Sequence, residues 1–282
     1  MYTARGVRNP LRIVRKGLRT PTPYNMTKIM AIVSQKGGTA KSTSAFNLAA
    51  ALAELGKTGL LIDLDPQASL TTICRVDLPE FGSMAEVLTA DSKHRASTFR
   101  RILVDIGHVA AGWQLAPSDI TLSRAERILP GDPFPSSVLQ EALQGLPEHF
   151  DYCLIDCPPS LGILTLNALV GSHELLIPTQ PEGMALRALP VLFETIEIAR
   201  RANPKLKILG VLPTFVDIRT AHHRDIIEAM KSKSWPLIED VFITRSIRVA
   251  EAPTMGKSIL TYEPAHPASV AYRRLAGIIV NS

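Results

Sequence analysis

Ten residues, Ser34-Gln35-Lys36-Gly37-Gly38-Thr39-Ala40-Lys41-Ser42-Thr43, separate an apolar run from an alanine-rich stretch that Gly56 stops. The run before them, Lys28 to Ser34 (KIMAIVS), reads as a strand, and Lys41 to Leu55 as a helix. Thr58 to Asp63 (TGLLID) follows as a second strand ending in acidic residues. Strand, loop, helix, strand is a βαβ unit, which commits the chain to a parallel sheet. Small residues in the loop let backbone N–H groups close around phosphate oxygens, and the helix N-terminus adds a partial positive charge. Lys41 is placed to reach the β- and γ-phosphates of a nucleotide, and the Ser42 hydroxyl to ligate Mg2+. The ordinary phosphate-loop pattern, G-x-x-x-x-G-K-[ST], fails twice, because Gln35 and Ala40 stand where its glycines belong.

The rest of the chain extends the alternation. Residues 66–135 are less regular, with short helices at Met84 to Leu88 and Ile120 to Ile128 and a strand around Trp113 to Ala116. Beyond Pro135 come helices over Ser136 to Leu146, Gly162 to Val170, Met184 to Arg201 and Ala221 to Lys231. Between them lie strands over Tyr152 to Asp156, Glu174 to Pro178 and Leu206 to Leu212. Runs such as CLID, LLIP and ILGVL are continuously apolar, as expected for parallel strands covered on both faces. The expected fold is α/β, a doubly wound and mostly parallel sheet with helices on both faces. A strand or loop near Ile243 and a helix from Pro267 to Val280 close it.

Two further strands end in carboxylates. Asp63-Leu64-Asp65-Pro66-Gln67-Ala68 follows the second strand, and Asp156 ends the strand in Asp151-Tyr152-Cys153-Leu154-Ile155-Asp156-Cys157-Pro158-Pro159-Ser160. One aspartate after a strand is ordinarily a helix cap or a turn residue. Three such pieces in order around a phosphate loop instead read as a nucleotide site. Asp65 then orients the attacking water and approaches the metal, Asp63 anchors the metal's waters or the loop, and Asp156 reaches Mg2+ through water.

The combination Lys36-Gly37-Gly38-x-x-Lys41-Ser42 resembles the deviant Walker A box of the ParA/MinD family of ATPases, in which a second lysine opens the loop. Asp63-Leu64-Asp65-Pro66-Gln67 resembles that family's switch motif. Ser160 to Leu169, Ile177 to Glu182 and Arg245 to Pro253 are similar to the Soj-like partition ATPases within it, so the likeness spans residues 28–280. It departs at Ala40, where the family commonly has glycine. The resemblance implies a weak ATP hydrolase with ATP and Mg2+ as cofactors. Lys36, Gly37, Gly38, Thr39, Ala40, Lys41, Ser42 and Thr43 would hold the nucleotide, and Ser42, Asp65 and Asp156 the metal. Lys36, Lys41 and Asp65 would be catalytic. Lys36 would cross to the nucleotide of a second copy, making a homodimer bridged by ATP, with Gly37 where the two loops nearly touch. Such dimers bind double-stranded DNA without sequence preference, here through Arg219, Arg245 and Arg248. Lys231, Lys233 and Lys257 read better as solvated surface. A ParB-like centromere-binding partner with a basic N-terminal peptide would stimulate hydrolysis and release the dimer, in a nucleoid-associated protein of the cytoplasm. The alternatives are a MinD-like membrane-cycling ATPase and a non-catalytic ATP switch for other cargo. Against the former, Ala271 to Val280 reads as a docked helix rather than a lipid-binding one.

Composition bounds these readings. With 46% apolar and 20% charged residues the 282-residue chain can bury a large core, and no run approaches the ~18 apolar residues of a membrane span, so no stable membrane insertion is expected. The net charge of +5 would by itself suggest a nucleic-acid binder, but residues 1–25 hold Arg5, Arg8, Arg12, Arg15, Lys16 and Arg19 and no acid, leaving the other 257 residues at −1. DNA affinity must then come from a local patch and depend strongly on salt. Within residues 1–25, Val7, Leu11, Val14 and Leu18 share one helical stripe beside the basic residues. Three readings of this extension stay open: upstream sequence before a start at Met26, a disordered basic arm, or a targeting peptide. Residues 26–282 are expected to form a single domain. Cys74, Cys153 and Cys157 lack C-x-x-C spacing. Cys153 and Cys157, if on one strand, face the same side roughly 13 Å apart, too far for a disulfide. They read as small buried apolar residues.

Overall fold

The computed structural model describes residues 27–146 and 150–282; the amphipathic stripe and linker expected in residues 1–25 lie outside them. β1 (Lys28–Ile32) leads to α1 (Lys41–Glu54) and β2 (Gly59–Asp63). A stretch of short pieces follows: α2 (Ser69–Cys74), α3 (Met84–Thr89), α4 (Ser92–Arg101), β3 (Val104–Asp105), β4 (Trp113–Ala116), α5 (Leu122–Ile128) and α6 (Val138–Leu143). Regular alternation then resumes with β5 (Tyr152–Asp156), α7 (Ile163–Val170), β6 (Glu174–Thr179), α8 (Ala185–Ala202), β7 (Lys207–Pro213) and α9 (Ala221–Ser232). α10 (Ile247–Thr254), α11 (Ile259–Tyr262) and α12 (Pro267–Asn281) complete the chain.

The seven strands form one sheet in the order β3-β4-β2-β5-β1-β6-β7. All neighbouring pairs are parallel except β3 with β4. Side chains of a strand alternate between its faces, and here each face has its own core. Ile29, Ala31, Val33, Leu60, Ile62, Cys153 and Ile155 join the layer covered by α3, α6, α7 and α8. Met30, Ile32, Leu61 and Leu154 join the layer that includes α1 and α12. That is the doubly wound α/β architecture expected from the apolar runs.

Local chemistry places the ends of these elements. α1 is rich in alanine and leucine, good helix formers, and stops at Gly56, whose φ of 73° is the left-handed conformation glycine accepts without strain. Gly56 N–H donates to Ala53 O and Lys57 N–H to Leu52 O, which satisfies the last carbonyls. At the start of β2, a Cβ on Gly59 would stand 2.6 Å from the indole of Trp113, so the ring lies flat against bare backbone there. The Trp113 Nε1–H donates to Lys57 O.

Several expectations are sharpened. The expected helix over Ser136 to Leu146 is confined to Val138–Leu143. Cys157 lies one residue beyond β5, although it shares a core layer with Cys153, and all three thiols are free and buried. The segment near Ile243 is irregular, with one bridge from Val216 to Thr244. α2, α4, α10 and α11 were not anticipated. Pro253 in α10 and the charge-rich composition of α4 hide the usual periodicity. No helix among the described residues is long and apolar enough to cross a membrane.

Candidate nucleotide site

The C-terminal ends of β1, β2 and β5 converge, as ligand sites in open α/β sheets do. Asp63 pairs in register with Asp156, and Asp156 with Ile32, so both carboxylates stand at the sheet edge from which the Ser34–Thr43 loop departs. Both residues are fully buried. Asp63 is occupied: its Oδ2 accepts from Thr71 N–H at 2.8 Å and Thr71 Oγ1 at 2.8 Å, and its Oδ1 accepts from Asp65 N–H at 3.1 Å. It therefore anchors the start of α2, the second of the roles expected for it.

Asp156 is different. Neither of its oxygens has a hydrogen-bond partner, although both are buried. Burial, reinforced by the Asp63 charge, pushes its pKa well above the usual carboxylate range, and the nearby Ser42 hydroxyl and the Lys41 charge offset this in part. Burial also pushes Asp63 up to about 6, against the hydrogen bonds that Thr71 and Asp65 donate. A buried carboxylate without a partner is costly, and a cation at Asp156 would remove the cost. The donor set fits Mg2+, which takes one or two carboxylates, a hydroxyl and phosphate oxygens rather than an all-protein cage. Asp156 and Ser42 lie in the right place; Asp65 is buried beside them, its Oδ1 accepting from Gln67 N–H at 2.9 Å. Burial raises the thiol pKa of Cys74, Cys153 and Cys157, which keeps them inert as expected.

The loop itself is held from outside. Thr214 Oγ1 donates to Thr39 O at 3.1 Å, Gln180 Nε2 to Gly38 O at 2.9 Å, and Thr39 Oγ1 to Lys36 O at 3.3 Å. Lys41 is buried as the first residue of α1; Ser42 and Thr43 are half-buried beside it. Gly38 has φ 73°, a conformation that suits glycine, whereas a Cβ on Gly37 would meet nothing within 4 Å. Ala40 has φ 66°. A Cβ in that region costs roughly 1–2 kcal/mol, so the departure seen in the sequence is a strained residue at the N-cap of α1.

Lys36 is engaged by the segment after β6. Its ammonium donates to Glu182 Oε2 at 2.7 Å and to Gln180 Oε1 at 3.0 Å, on the segment after β6. The Lys36 hydrogen bond holds the Glu182 carboxyl below its ordinary range. In the sequence Gln180 and Glu182 stand out only as part of the segment Ile177 to Glu182, and their contact with Lys36 becomes visible when β6 lies next to β1. Lys36 and Glu182 line a cavity of about 520 Å³ that is also lined by two exposed apolar residues, Met184 just before α8 and Val191 on it.

Comparison with known proteins agrees with this geometry. Residues 27–208 match the family model described as an AAA domain. The chromosome-partitioning ATPase Soj of Thermus thermophilus is 37% identical over 248 residues, 88% of this chain and 93% of that protein. The sporulation initiation inhibitor protein Soj of Bacillus subtilis is 35% identical over 89% of this chain and 97% of its own length. The chain belongs to the ParA/Soj-like family of ATPases. A solved structure from Mycobacterium smegmatis, described as cobyrinic acid a,c-diamide synthase with bound ADP and magnesium, is similar to this ParA-like chain at a TM-score of 0.76 and 33% identity, covering 91% of this chain and 95% of that one.

The residues expected to meet DNA lie on the segments around the starts of α9 and α10 of the ParA-like fold. Arg219 precedes α9, Arg245 precedes α10 and Arg248 is on α10. Arg245 N–H donates to Val216 O at 3.1 Å, which joins the two segments. Arg219 forks onto Asp217 at 2.9 and 2.8 Å, and Arg248 pairs with Glu251 at 3.0 Å and Glu263 at 3.1 Å. Lys231 is paired with Glu228 at 2.7 Å. Lys233 lies 5.7 Å from the centre of the Trp235 ring.

Proposed function

We propose that this protein is an ATP-dependent partitioning ATPase that binds ATP with Mg2+ between two copies, holds duplex DNA without sequence preference in that state, and lets go on hydrolysis. The observation that carries the reading is Asp156: a fully buried carboxylate with neither oxygen partnered, beside Lys41 and Ser42 at the edge of a loop shaped for phosphates. When bound, Mg2+ supplies charge neutralisation at the phosphates. Ser42 and Asp156 would hold it, and the backbone N–H groups from Gly37 to Thr43 would cradle the phosphate oxygens. Lys41 adds a fixed positive charge at the transferring phosphoryl group. Asp65 orients the water whose oxygen forms the new P–O bond as the bond to the ADP oxygen breaks.

Lys36 serves the nucleotide of the second copy and must first leave Glu182 to do so. The exposed Met184 and Val191 beside it support a face-to-face dimer, since exposed apolar side chains gain by burial in a partner. In this reading a ParB-like partner with a basic peptide accelerates hydrolysis, and DNA binding gives nucleoid association. α12 supports the DNA reading over membrane cycling, because Tyr272, Leu275, Ala276 and Ile279 are buried against the body and no apolar face is left for lipid.

The test is duplex DNA binding by the full chain with ATP and with ADP across a salt series. Binding that requires ATP and Mg2+, falls steeply with salt and persists in a variant beginning at Met26 is the expected result. Equal binding with ADP, or liposome binding that depends on residues 1–25, would replace this reading with a basic arm or a membrane anchor.

A further inference from the structure

Two bonds join the nucleotide-facing helices to the segment that carries Arg248, and they attach to different halves of it. The first comes from α1, the helix that opens with Lys41 and Ser42. Asn47 is fully buried there; its Nδ2 donates to Thr43 O at 2.8 Å, and its Oδ1 accepts from Ile259 N–H at 2.8 Å, across 212 residues of sequence. Ile259 is the first residue of α11. The second comes from α2, whose start is anchored on Asp63. Its final cap, Arg75, donates from Nη2 to Thr254 O at 2.7 Å, the last residue of α10. A Cβ on Gly256 would stand 3.1 Å from the Arg75 side chain, so the guanidinium arm lies across the α10–α11 connection.

Thus α11 follows the phosphate-loop helix, and α10 follows the helix that hangs from the carboxylate loop. Between them runs Met255-Gly256-Lys257, with Gly256 at φ 68°, a conformation free to glycine. Arg248 spans the division. It is on α10, and one of its two acidic partners, Glu263, caps the far end of α11, whose last residue, Tyr262, Arg248 also meets. Its other acidic partner, Glu251, is on α10 with it and moves with it. A shift of α2 relative to α1 would act at the Arg248–Glu263 pair.

We propose that Asn47 and Arg75 are positioning residues that couple the nucleotide site to Arg248, by holding α11 to α1 and α10 to α2 so that the relative position of these helices sets whether Arg248 is free of Glu263. The inference rests on the DNA reading above for its consequence, but not for the coupling itself. An allosteric claim needs two sites and an element that both bias, and here the element is the α10–α11 hinge.

The experiment uses the full chain and three variants: Arg75→Ala, Arg75→Lys, which keeps a donor for Thr254 O, and Asn47→Ala. Hydrogen exchange of residues 247–263 is followed without nucleotide, with ATP and Mg2+, and with ADP, in the absence of DNA. A fluorescent ATP analogue reports nucleotide affinity. The parent is expected to show a nucleotide-dependent change in exchange over this segment. Arg75→Ala is expected to lose that change, Arg75→Lys to keep it, and nucleotide affinity to stay within about twofold in each, with the ATP-over-ADP ratio of DNA affinity falling about tenfold in Arg75→Ala. Arg75 is exposed, so its variants do not depend on Asn47→Ala folding. A parent that shows no nucleotide-dependent exchange here, or an Arg75→Ala chain that responds as the parent does, overturns the coupling. If the exchange response is present and lost as expected while the parent shows no ATP-dependent DNA affinity, the coupling stands and the DNA reading fails.

Discussion

Two charged regions of this protein are built on opposite plans. At the strand tips Asp63, Asp156 and Lys41 are buried, and Asp156 is left without a partner. On the α9–α11 side Arg219 and Arg248 are exposed, and each already holds a carboxylate of its own chain. The first region carries a desolvation cost that an incoming cation relieves, so it is prepared for its ligand. The second has little to gain from a polyanion until its internal pairs open. Readiness in one place and restraint in the other is the arrangement a nucleotide-gated binder needs.

The largest expected effect tests the prepared half. Asp156→Asn should cut Mg2+-dependent phosphate release about a thousandfold, yet raise the melting temperature of the nucleotide-free protein near neutral pH, because no charge is then buried. A fall in both quantities would mean that Asp156 has a stabilising partner, and the contrast would be lost. Next comes the pH dependence. With the Asp63 pKa at about 6 rather than 3.8, the folded state binds its proton more tightly than the unfolded chain, so the contribution is fully favourable below 3.8 and is lost as pH rises to about 6. The difference is on the order of 3 kcal/mol. Urea unfolding at several pH values across that window should slope downward for the parent and lie flatter for Asp63→Asn.

A smaller effect sits between the two regions. Lys36→Ala should weaken ATP-driven dimerisation at least tenfold, as loss of one partner of a desolvated charge contact does, measured by sedimentation. Glu182→Gln should leave dimerisation intact or strengthen it. Dimerisation by Lys36→Ala at the parent's level would show that the Lys36–Glu182 pair is a permanent structural bond. Ala40→Gly should stabilise the protein by roughly 1 kcal/mol, since glycine takes the left-handed conformation without a Cβ penalty, visible as a rise of a few degrees in calorimetry. The smallest effect concerns the restrained half: Arg219→Ala should leave unfolding unchanged and lower the salt slope of DNA binding by about 1.

What the sequence made legible follows the same division. β1, β2 and β5 could be read because parallel strands buried on both faces are short apolar runs, and the terminal aspartates of β2 and β5 point to the site directly. The departure at Ala40 could be seen as a missing glycine, and the left-handed φ explains why glycine suits that position. The partners of Lys36 were illegible because Gln180 and Glu182 lie 144 and 146 residues away, and only sheet order brings them close. α4 is hidden because Arg95, buried among Asp132 and Glu141, shares its inward face with Phe99, so a charged residue stands where periodicity looks for an apolar one. The pairing of Arg248 with Glu263 was equally hidden, since it depends on a turn between two short helices.

The ends of the sheet carry a consequence for how copies of this chain assemble. On one side the outermost strand, β3, is two residues long and runs antiparallel. On the other, β7 is capped where Pro236 O accepts from Val211 N–H and Ile238 N–H donates to Val211 O. Neither margin presents the continuous row of free backbone groups on which another strand could add. Growth by strand addition, the route to amyloid-like fibres, is thereby blocked at both margins. Contacts between copies are therefore left to side chains rather than to backbone pairing at these margins.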